Sequence, residues 1–454
     1  MSLGSSFSIV KFGAVALFVL GFSAMPTPNL AATNNDDRTI EFVNMCSTTV
    51  RIGVNGAALL TAGTGARKAC NATTLCPAGS SCLQPDAKKD GACYFDFPAP
   101  SSGSAVLKPK GSTTGTTATY ELTNPVWSNG VIVKGGVNNV AVKWSGNVYA
   151  ATHCDADGSN CKTGMCPKSE NGVTSVVPCE TGVGPQGPTT LAEFTLSNTG
   201  VDFYDISMVN GANIPVAMAP ADNHVYSPTA NDFYWCGTPG ATTTDGAGLS
   251  ACTWKFDTNV GTTDQASVLR AVASGGPACS ATKTCSDSTQ VCGYSYEIGT
   301  LNVTQSCGEQ IGWWNANELC AFTNGGFGAP LNCQSSAGKP VNQDLFQCIG
   351  TNAASCYGAG GSDCCGCPEW KVGGVKIPLA SGFSCKGTNT QWSTIAEPWV
   401  NVNKQACPTA YSFPFDDATS TFTCSSELDP TEEKPNAVNY TITFCPDGKS
   451  GFEN

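Results

Sequence analysis

The feature that most constrains this chain is its cysteine content. Its 454 residues include 26 cysteines, all of them from Cys46 onward. So many thiols do not persist in a reducing cytosol, and their even number allows all of them to pair in disulfides. The 50 glycines and 27 prolines interrupt helices and favour short strands joined by turns. The sequence therefore predicts a mainly β, disulfide-rich protein that folds in an oxidising compartment.

The N-terminal segment has the pattern of a signal peptide. Lys11 precedes an apolar run over residues 12–22, and small residues follow up to Ala32. We predict a signal peptide over residues 1–32, and no later segment offers the ~20 consecutive apolar residues that a membrane helix needs. The protein is therefore expected to be secreted, as an extracellular or cell-wall protein without a membrane span. Three sequons predict N-glycosylation, at Asn71, Asn302 and Asn439.

The charge and the histidine count narrow the possible partners. The net charge is −12, and acidic chains bind the phosphates of nucleic acids and anionic membranes poorly. A neutral polysaccharide is a more compatible ligand. The two histidines, His153 and His224, argue against both a three-histidine zinc site and a Ser-His-Asp triad. We therefore expect no cofactor, no metal ion and no nucleic-acid partner.

Alternating apolar and polar residues predict strands at both ends of the chain and in its middle. The predicted strands are an opening pair over residues 38–54, a central hairpin over 190–196 and 202–209, and closing strands over 419–423 and 438–444. The long segment between the hairpin and the closing strands is predicted to be rich in loops, because it combines many cysteines with few alternating runs.

The central strand divides its side chains between two faces. Ala192 and Phe194 are expected on the core face, so Glu193 between them should point away from the core. One helix is predicted, over residues 397–406, because Pro398 suits a first helical turn.

Several segments resemble the thaumatin-like family, which includes plant pathogenesis-related proteins and long fungal secreted forms. The most specific match is PTTLAEFTLSNTGVDFYDISMVNGANIPVAMAP, residues 188–220, which resembles the family signature nearly end to end. Further matches are TIEFVNMCSTTV (39–50), WSGNVYAATHCDADGSNCKTGMC (144–166), QACPTAYSFPFDDATSTFTC (405–424) and VNYTITFCP (438–446). The motifs that resemble the long fungal-type members are CSDSTQVCG (285–293) and SDCCGCPEW (362–370).

The resemblance implies a mainly β fold, with an antiparallel β-sandwich core, a disulfide-rich loop domain, long insertions and an acidic cleft. Residues 33–220 would form the core with a Cys-rich insertion near 67–117, and residues 221–400 the extended loop domain. Residues 401–446 would supply a closing helix and strands before a tail over 447–454. A monomer is expected.

The resemblance also implies which residues line the cleft. It places Glu193 and Asp205 there as the candidate catalytic pair. Hydrolysis of a glucan needs a carboxylic acid that protonates the leaving oxygen and a second carboxylate that acts as nucleophile or base. We assign the first role to Glu193 and the second to Asp205. Further candidates for the cleft are Asp202, Tyr204, Asn210, Asp416 and Asp417, and either of the last two could face it.

Two positions depart from the family pattern. Ala151 stands where the family often has an arginine, and Asn210 where it often has an aspartate. The first change removes a cation and the second a carboxylate, so their effects on the pKa of Glu193 oppose each other. Sugar binding also uses exposed aromatic rings. The candidates are Tyr204, Tyr234, Trp235, Trp313 and Trp314.

The function that the resemblance implies is recognition of cell-wall β-1,3-glucan, or of another wall polysaccharide, with or without weak hydrolysis of the endo-β-1,3-glucanase type. Two alternatives stay open. One is a noncatalytic defence or antifungal protein, or an inhibitor of a foreign enzyme. The other is a structural protein of the cell wall.

Overall fold

A computed structural model of the chain describes most of the residues from Arg38 to Ser450. The described residues are 38–59, 69–71, 73–76, 80–83, 91–95, 97, 99–122, 143–170, 173–179, 184–197, 201–221, 232–243, 251–256, 268–280, 282–297, 302–322, 331–333, 342–348, 365–366, 368–383, 389–426 and 438–450. All of them belong to one structural unit, Thr33–Asn454. The predicted signal peptide and His224 lie outside the described residues.

The β-branched and alternating segments form short strands, as their composition predicts. The strands are β1 (Arg38–Asn44), β2 (Val50–Leu59), β3 (Ala69–Cys70), β4 (Ser80–Leu83), β5 (Gly91–Phe95), β6 (Ser102–Gly103), β7 (Val106–Leu107), β8 (Thr117–Leu122), β9 (Lys143–Ala151), β10 (Cys166–Glu170), β11 (Val173–Val177), β12 (Leu191–Ser197), β13 (Asp202–Ser207), β14 (Val216–Pro220), β15 (Arg270–Val272), β16 (Val291–Glu297), β17 (Asn302–Gly308), β18 (Gln310–Trp313), β19 (Lys371–Val372), β20 (Val375–Lys376), β21 (Ala410–Tyr411), β22 (Phe422–Cys424) and β23 (Tyr440–Phe444).

Two of the sheets pack face to face as a sandwich. The first has the order β14-β23-β1-β8-β6, and the second has the order β21-β13-β12-β9-β2-β5-β3, with β22 beside β13. Rings from both sheets meet between them. The ring centroid of Tyr440 on β23 lies 5.1 Å from that of Phe194 on β12 and 5.2 Å from that of Tyr204 on β13. The mainly β fold class is therefore confirmed.

The opening and closing strands are neighbours although almost the whole chain separates them. β1 pairs in parallel with β23, and the disulfide Cys46–Cys445 joins the segments that follow these strands. A buried ion pair links this sheet to the second one, because Arg38 Nη1 lies 2.6 Å from Asp202 Oδ2. The hydroxyl of Tyr440 donates a hydrogen bond to the same oxygen at 2.8 Å. These contacts fix the closing strand in the sandwich.

The central hairpin is confirmed, with strand ends shifted by one or two residues. β12 and β13 are antiparallel, and Glu193 pairs directly with Asp205. Ala192 and Phe194 are buried on the core face, as predicted.

The closing segment differs from the prediction over residues 419–423. A 3₁₀-helix occupies Asp417–Thr419, and β22 begins only at Phe422. The reason is a turn in which the backbone N–H of Thr419 donates to the carbonyl of Asp416 and its hydroxyl donates to the Asp416 carboxylate at 2.7 Å. The Asp416 carboxylate also accepts a hydrogen bond from the backbone N–H of Ser412 at 3.1 Å, and side chains that bond to nearby backbone in this way compete with strand formation.

The predicted helix is confirmed, and three short helices were not predicted. The α-helices whose bounds lie within the described residues are α1 (Ala316–Ala321), α2 (Asn342–Gln347), α3 (Thr390–Ile395) and α4 (Glu397–Ala406). α4 has the predicted bounds, with its proline in the first turn. The other three have six residues each, which is too short for a helical period to emerge from the sequence. Among the described residues, no helix has the length and apolar character needed to cross a membrane.

The region predicted to be loop-rich contains more regular structure than its composition indicates. It holds the four-stranded sheet β17-β16-β15-β18 and the ribbon β19-β20. Every described cysteine is disulfide-bonded. The disulfides whose partners are both described are Cys46–Cys445, Cys70–Cys82, Cys154–Cys161, Cys166–Cys179, Cys236–Cys424, Cys252–Cys407, Cys279–Cys292, Cys285–Cys307, Cys320–Cys333 and Cys348–Cys365. This content fits an oxidising compartment.

Candidate functional site

A row of polar side chains crosses four strands of the second sheet on the face opposite the core. Asn55 on β2 pairs with Asn147 on β9, Asn147 pairs with Glu193 on β12, and Glu193 pairs with Asp205 on β13. Residues directly opposite each other in antiparallel strands point to the same face, so the four side chains are neighbours. We call these four residues the acidic row.

Glu193 is held by two neutral hydrogen-bond donors. The hydroxyl of Ser207 and the amide of Asn147 both hydrogen-bond to its carboxylate, and these bonds favour the charged form. Burial acts in the opposite direction and is stronger, so it raises the pKa of Glu193 to about 7. The side chain is nevertheless partly exposed to solvent.

The carboxylate of Asp205 is less well stabilised in its charged form than that of Glu193. Its Oδ1 atom is buried and accepts no hydrogen bond. Burial, followed by the neighbouring carboxyls of Glu193 and Asp417, raises the pKa of Asp205 well above its ordinary value. Of the two paired carboxyls, Asp205 therefore holds a proton more readily, while Glu193 is better able to carry the charge.

Asp417 completes an acidic trio with Glu193 and Asp205. It lies on the 3₁₀-helix, where the hydroxyl of Tyr411 donates to its Oδ1 at 3.1 Å. Burial raises the pKa of Asp417, and its hydrogen bond from Tyr411 opposes that shift. Within the part of the chain that the structure describes, no lysine or arginine forms an ion pair with any of the three. Three carboxyls without a counter-ion can share protons, which is the arrangement that acid–base chemistry needs.

The two adjacent aspartates point in different directions. Asp416 is buried and forms an ion pair with Lys404, whose Nζ lies 2.8 Å from Asp416 Oδ2. The indole N–H of Trp370 donates to the other carboxylate oxygen at 2.8 Å. Successive residues around a 3₁₀-helix are about a third of a turn apart. Asp416 points into the interior, and Asp417 therefore points in a different direction, toward the acidic row.

Two further predicted residues also lie apart from the row. Asp202 is buried in its ion pair with Arg38, and Tyr204 is buried in the sandwich, where its hydroxyl donates to the carbonyl of Gly237 at 2.7 Å. Both occupy alternate positions of β13 relative to Asp205, on the core side. The structure thus brings together Glu193, Asp205 and Asp417.

Comparison with known proteins places this site within a family. The model of the thaumatin family matches residues 114–357 and 380–446, which together make up more than half of the chain. The chain belongs to the thaumatin family. The matched segments include β9, β12, β13 and the 3₁₀-helix of Asp417, so all three members of the acidic trio lie in the part that defines the family.

Individual relatives in the thaumatin family are distant. Pathogenesis-related protein 5 from Arabidopsis thaliana is 24% identical over 307 residues, which cover 67% of this chain and 72% of the relative. Thaumatin-like protein 1 from the same plant is 23% identical over 329 residues, covering 69% and 74%. Pathogenesis-related thaumatin-like protein 3.7 from Cryptomeria japonica is 36% identical over 109 residues, covering 23% and 43%. The chain thus matches less than half of the length of this last relative.

Among the described contacts, none joins Ala151 or Asn210, the two positions predicted to depart from the family pattern, to the acidic trio. Ala151 is buried in a small cluster with Cys161 and Met165, four residues along β9 from Asn147. The direct partner of Glu193 on β9 is the neutral amide of Asn147. Glu193 therefore has a hydrogen-bond partner on this strand although residue 151 is an alanine. Asn210 lies in the turn after β13, where its carbonyl accepts a hydrogen bond from the N–H of Thr189.

The sequence did not single out several residues of this face. Asn147, Ser207 and Tyr411 contact the acidic trio, but only the strand pairing brings them there. Phe203 lies two residues before Asp205 on the same strand and is 45% exposed. Its alternation with buried neighbours was the one signal that could have identified it. Of the aromatic candidates, Trp235 is partly exposed, and the buried ones are Tyr204, Tyr234, Trp313 and Trp314.

The three predicted glycosylation sites differ in their surroundings. Asn302 is exposed at the start of β17, and Asn71 is partly exposed beside a turn that its own side chain stabilises. Asn439 is partly buried, and its Oδ1 accepts a hydrogen bond from the N–H of Thr39 at 2.8 Å. This bond does not involve the amide nitrogen of Asn439, the atom that carries an N-glycan, but the partial burial of the side chain gives a glycan less room than at Asn302.

Proposed function

We propose that this protein binds cell-wall β-1,3-glucan along the acidic row, with weak hydrolysis at Glu193 and Asp205. The observation that carries the proposal is the direct pairing of these carboxyls on a partly accessible face, with the pKa of both raised. Perturbed carboxyls that cluster in this way are typical of sites that transfer protons. The predicted signal peptide and the disulfides support secretion to the extracellular space or the cell wall.

The electrostatics favour a division of roles opposite to the one assigned from the family resemblance. Asp205 retains its proton and is suited to protonate the leaving oxygen of the glycosidic bond. Glu193 receives hydrogen bonds from Ser207 and Asn147, which stabilise the charged form that a nucleophile or base requires. We therefore propose Asp205 as the general acid and Glu193 as the nucleophile or base.

The strand pairing also favours one stereochemical outcome. Side chains directly opposite each other have Cβ atoms about 4.5–5.5 Å apart. Retaining glycosidases hold their two carboxyls about 5–5.5 Å apart, whereas inverting enzymes need about 6.5–9.5 Å to admit a water molecule. The Cβ spacing of Glu193 and Asp205 is shorter than the carboxyl separation that inverting enzymes need, so their carboxyls would have to point apart to admit a water molecule, and we expect retention of the anomeric configuration.

The surface beside the carboxyls is suited to a sugar chain. Phe203 offers an exposed ring, on whose face the apolar side of a pyranose can stack. Ser145 and Thr195, on the same face of the sheet, contact each other through their hydroxyls at 3.2 Å. A neutral glucan would find hydrogen-bonding groups and one aromatic ring along the same strands.

The test is a laminarin assay on the oxidised, purified protein and two variants, Glu193→Gln and Asp205→Asn. Reducing ends are measured across pH, and binding is measured by affinity electrophoresis in laminarin gels. We expect slow hydrolysis that either variant abolishes. We also expect weaker retardation of Glu193→Gln, because hydrogen bonds to a charged group contribute roughly 1.5–3 kcal/mol. Retardation of both variants equal to that of the wild type would contradict the proposal.

A second proposal, a noncatalytic defence role, is favoured by the names of the matched relatives. Two of those compared above are called pathogenesis-related proteins. A defence protein of this kind would act on a microbial wall or an enzyme without turnover. Inhibition of fungal growth that persists in Glu193→Gln would support it, and growth inhibition that disappears in parallel with glucan binding would assign the effect to the acidic row.

A further inference from the structure

The carboxyl of Glu318 lies outside the acidic trio and has no role in the function proposed above. Glu318 is the third residue of α1, whose N-cap is Asn315. In this position a glutamate commonly bonds back to the backbone N–H of the cap residue. Glu318 is instead directed at Gly187, because a Cβ placed on Gly187 would lie 3.2 Å from Glu318 Oε2. Within the described part of the chain, its carboxyl has no ion pair, and burial raises its pKa to about 7. Glu318 is partly exposed, so its carboxyl is accessible to a ligand.

Aromatic rings and an amide surround this carboxyl. Trp314 precedes the N-cap of α1 and Phe322 is its C-cap, and their ring centroids lie 5.5 Å apart. Trp314 lies beside Glu318, because a Cβ placed on Gly187 would be 3.4 Å from Trp314 Cζ3 as well as 3.2 Å from Glu318 Oε2. Phe322 also contacts Tyr296, at 5.0 Å between ring centroids. The amide of Gln186 donates to the hydroxyl of Tyr296 at 2.7 Å, which leaves the hydroxyl proton available to another acceptor.

The members of this cluster are partly exposed, apart from Trp314 at its base. Glu318, Phe322, Tyr296 and Gln186 all retain some contact with solvent. A carboxyl, an amide, a phenol and a second ring that converge in this way match the chemistry of sugar recognition, in which a ring takes the apolar face and polar groups take the hydroxyls.

The cluster lies beyond the start of β12 and the end of β13, the two strands that carry Glu193 and Asp205. Gly187 precedes Glu193 by six residues, so their Cα atoms are at most about 20 Å apart. The side-chain amide of Asn315 donates to the carbonyls of Met208 and Ser412, at 3.1 and 2.8 Å. Met208 and Ser412 follow Ser207 and Tyr411, whose hydroxyls bond to Glu193 and Asp417 of the trio. α1 is therefore fastened to the ends of the strands that carry the site.

We propose that Glu318, Gln186 and the ring pair of Tyr296 and Phe322 form a second sugar-binding subsite, which takes a distal pyranose of a chain bound on the acidic row. This inference rests on the proposed glucan function. The subsite lengthens the site beyond the two carboxyls and makes binding depend on the number of sugar residues. A ligand too short to reach from Glu193 to α1 gains nothing from it.

The test is calorimetric titration of the full, oxidised protein with the β-1,3-linked disaccharide and hexasaccharide of glucose. Glu318→Ala is expected to weaken hexasaccharide binding about tenfold and Tyr296→Phe about fivefold, given the usual strength of the hydrogen bonds that each removes. Disaccharide affinity should stay within about twofold of the wild type in both. Glu193→Gln should weaken both ligands, and Glu41→Gln, an exposed change on β1, should weaken neither.

The outcomes separate the subsite from the function. Unchanged hexasaccharide affinity in both Glu318→Ala and Tyr296→Phe, with Glu193→Gln impaired, would overturn the subsite and leave glucan binding standing. A wild type that binds neither sugar would overturn both. Melting temperatures of the variants close to that of the wild type establish that the losses are local.

Discussion

Replacing Glu193 by glutamine should make the protein more stable at pH 8 but not at pH 4. Burial raises the pKa of Glu193 from its ordinary value of 4.5 to about 7 in the folded protein. The folded state therefore binds a proton that the unfolded state releases between these pH values, and stability falls as the pH rises through that window. Each pKa unit corresponds to 1.36 kcal/mol, so the loss is about 3 kcal/mol as an upper bound for this partly exposed group.

The assay is guanidinium unfolding at pH 4 and at pH 8, with the disulfides intact. At pH 4 the carboxyl is protonated in both states, and Glu193→Gln should match the wild type. At pH 8 the variant should be more stable by about 2–3 kcal/mol. The matched control is Glu41→Gln, which removes an exposed carboxylate on β1, in the other sheet from the acidic row. A Glu193→Gln protein that is less stable than the wild type at pH 8 would refute the reasoning.

Two other predictions each compare two residues of the same type in different surroundings: Asp416 with Asp417, and Asn302 with Asn439. Asp416→Asn should lower the free energy of unfolding by about 3–5 kcal/mol, because it leaves the Lys404 ammonium buried without its partner. Asp417→Asn should change the free energy of unfolding by less than about 1 kcal/mol. Chemical denaturation measures both values, and equal losses would contradict the orientations assigned to the two aspartates. In protein secreted from a eukaryotic host, Asn302→Gln should remove a glycan and raise electrophoretic mobility, because Asn302 is exposed. Asn439→Gln should leave mobility unchanged, because the Asn439 side chain is partly buried and held against β1. A mobility shift for Asn439→Gln would show that its burial does not prevent glycosylation.

Local patterns in the sequence were sufficient for the strands of the central hairpin and for one helix. The alternation in TLAEFTL assigns Ala192 and Phe194 to the core and Glu193 to the opposite face, and both assignments depend only on the two-residue period of a strand. The helix over residues 397–406 has its predicted bounds because Pro398 fits the first turn. Such features are set by residues close together in the chain.

Contacts between distant segments were not accessible in the same way. Asn147 meets Glu193 only through the register of β9 against β12, and a shift of one residue would turn Asn147 to the core. Asp416 and Asp417 are identical in type and adjacent, and the buried ammonium of Lys404 decides which one faces inward. Glu318 belongs to a helix too short to leave a periodic signal, and its position against Gly187 depends on how α1 packs.

The central claim is that the acidic row holds β-1,3-glucan, and retention on insoluble β-1,3-glucan tests it most directly. The proteins compared are the wild type, the double variant Glu193→Gln/Asp205→Asn, and Glu41→Gln as the control for a neutralised surface carboxyl. The account predicts that the wild type and Glu41→Gln are retained and that the double variant elutes in the wash, with its melting temperature at pH 8 equal to or above that of the wild type. Retention of a folded double variant at the wild-type level would contradict it.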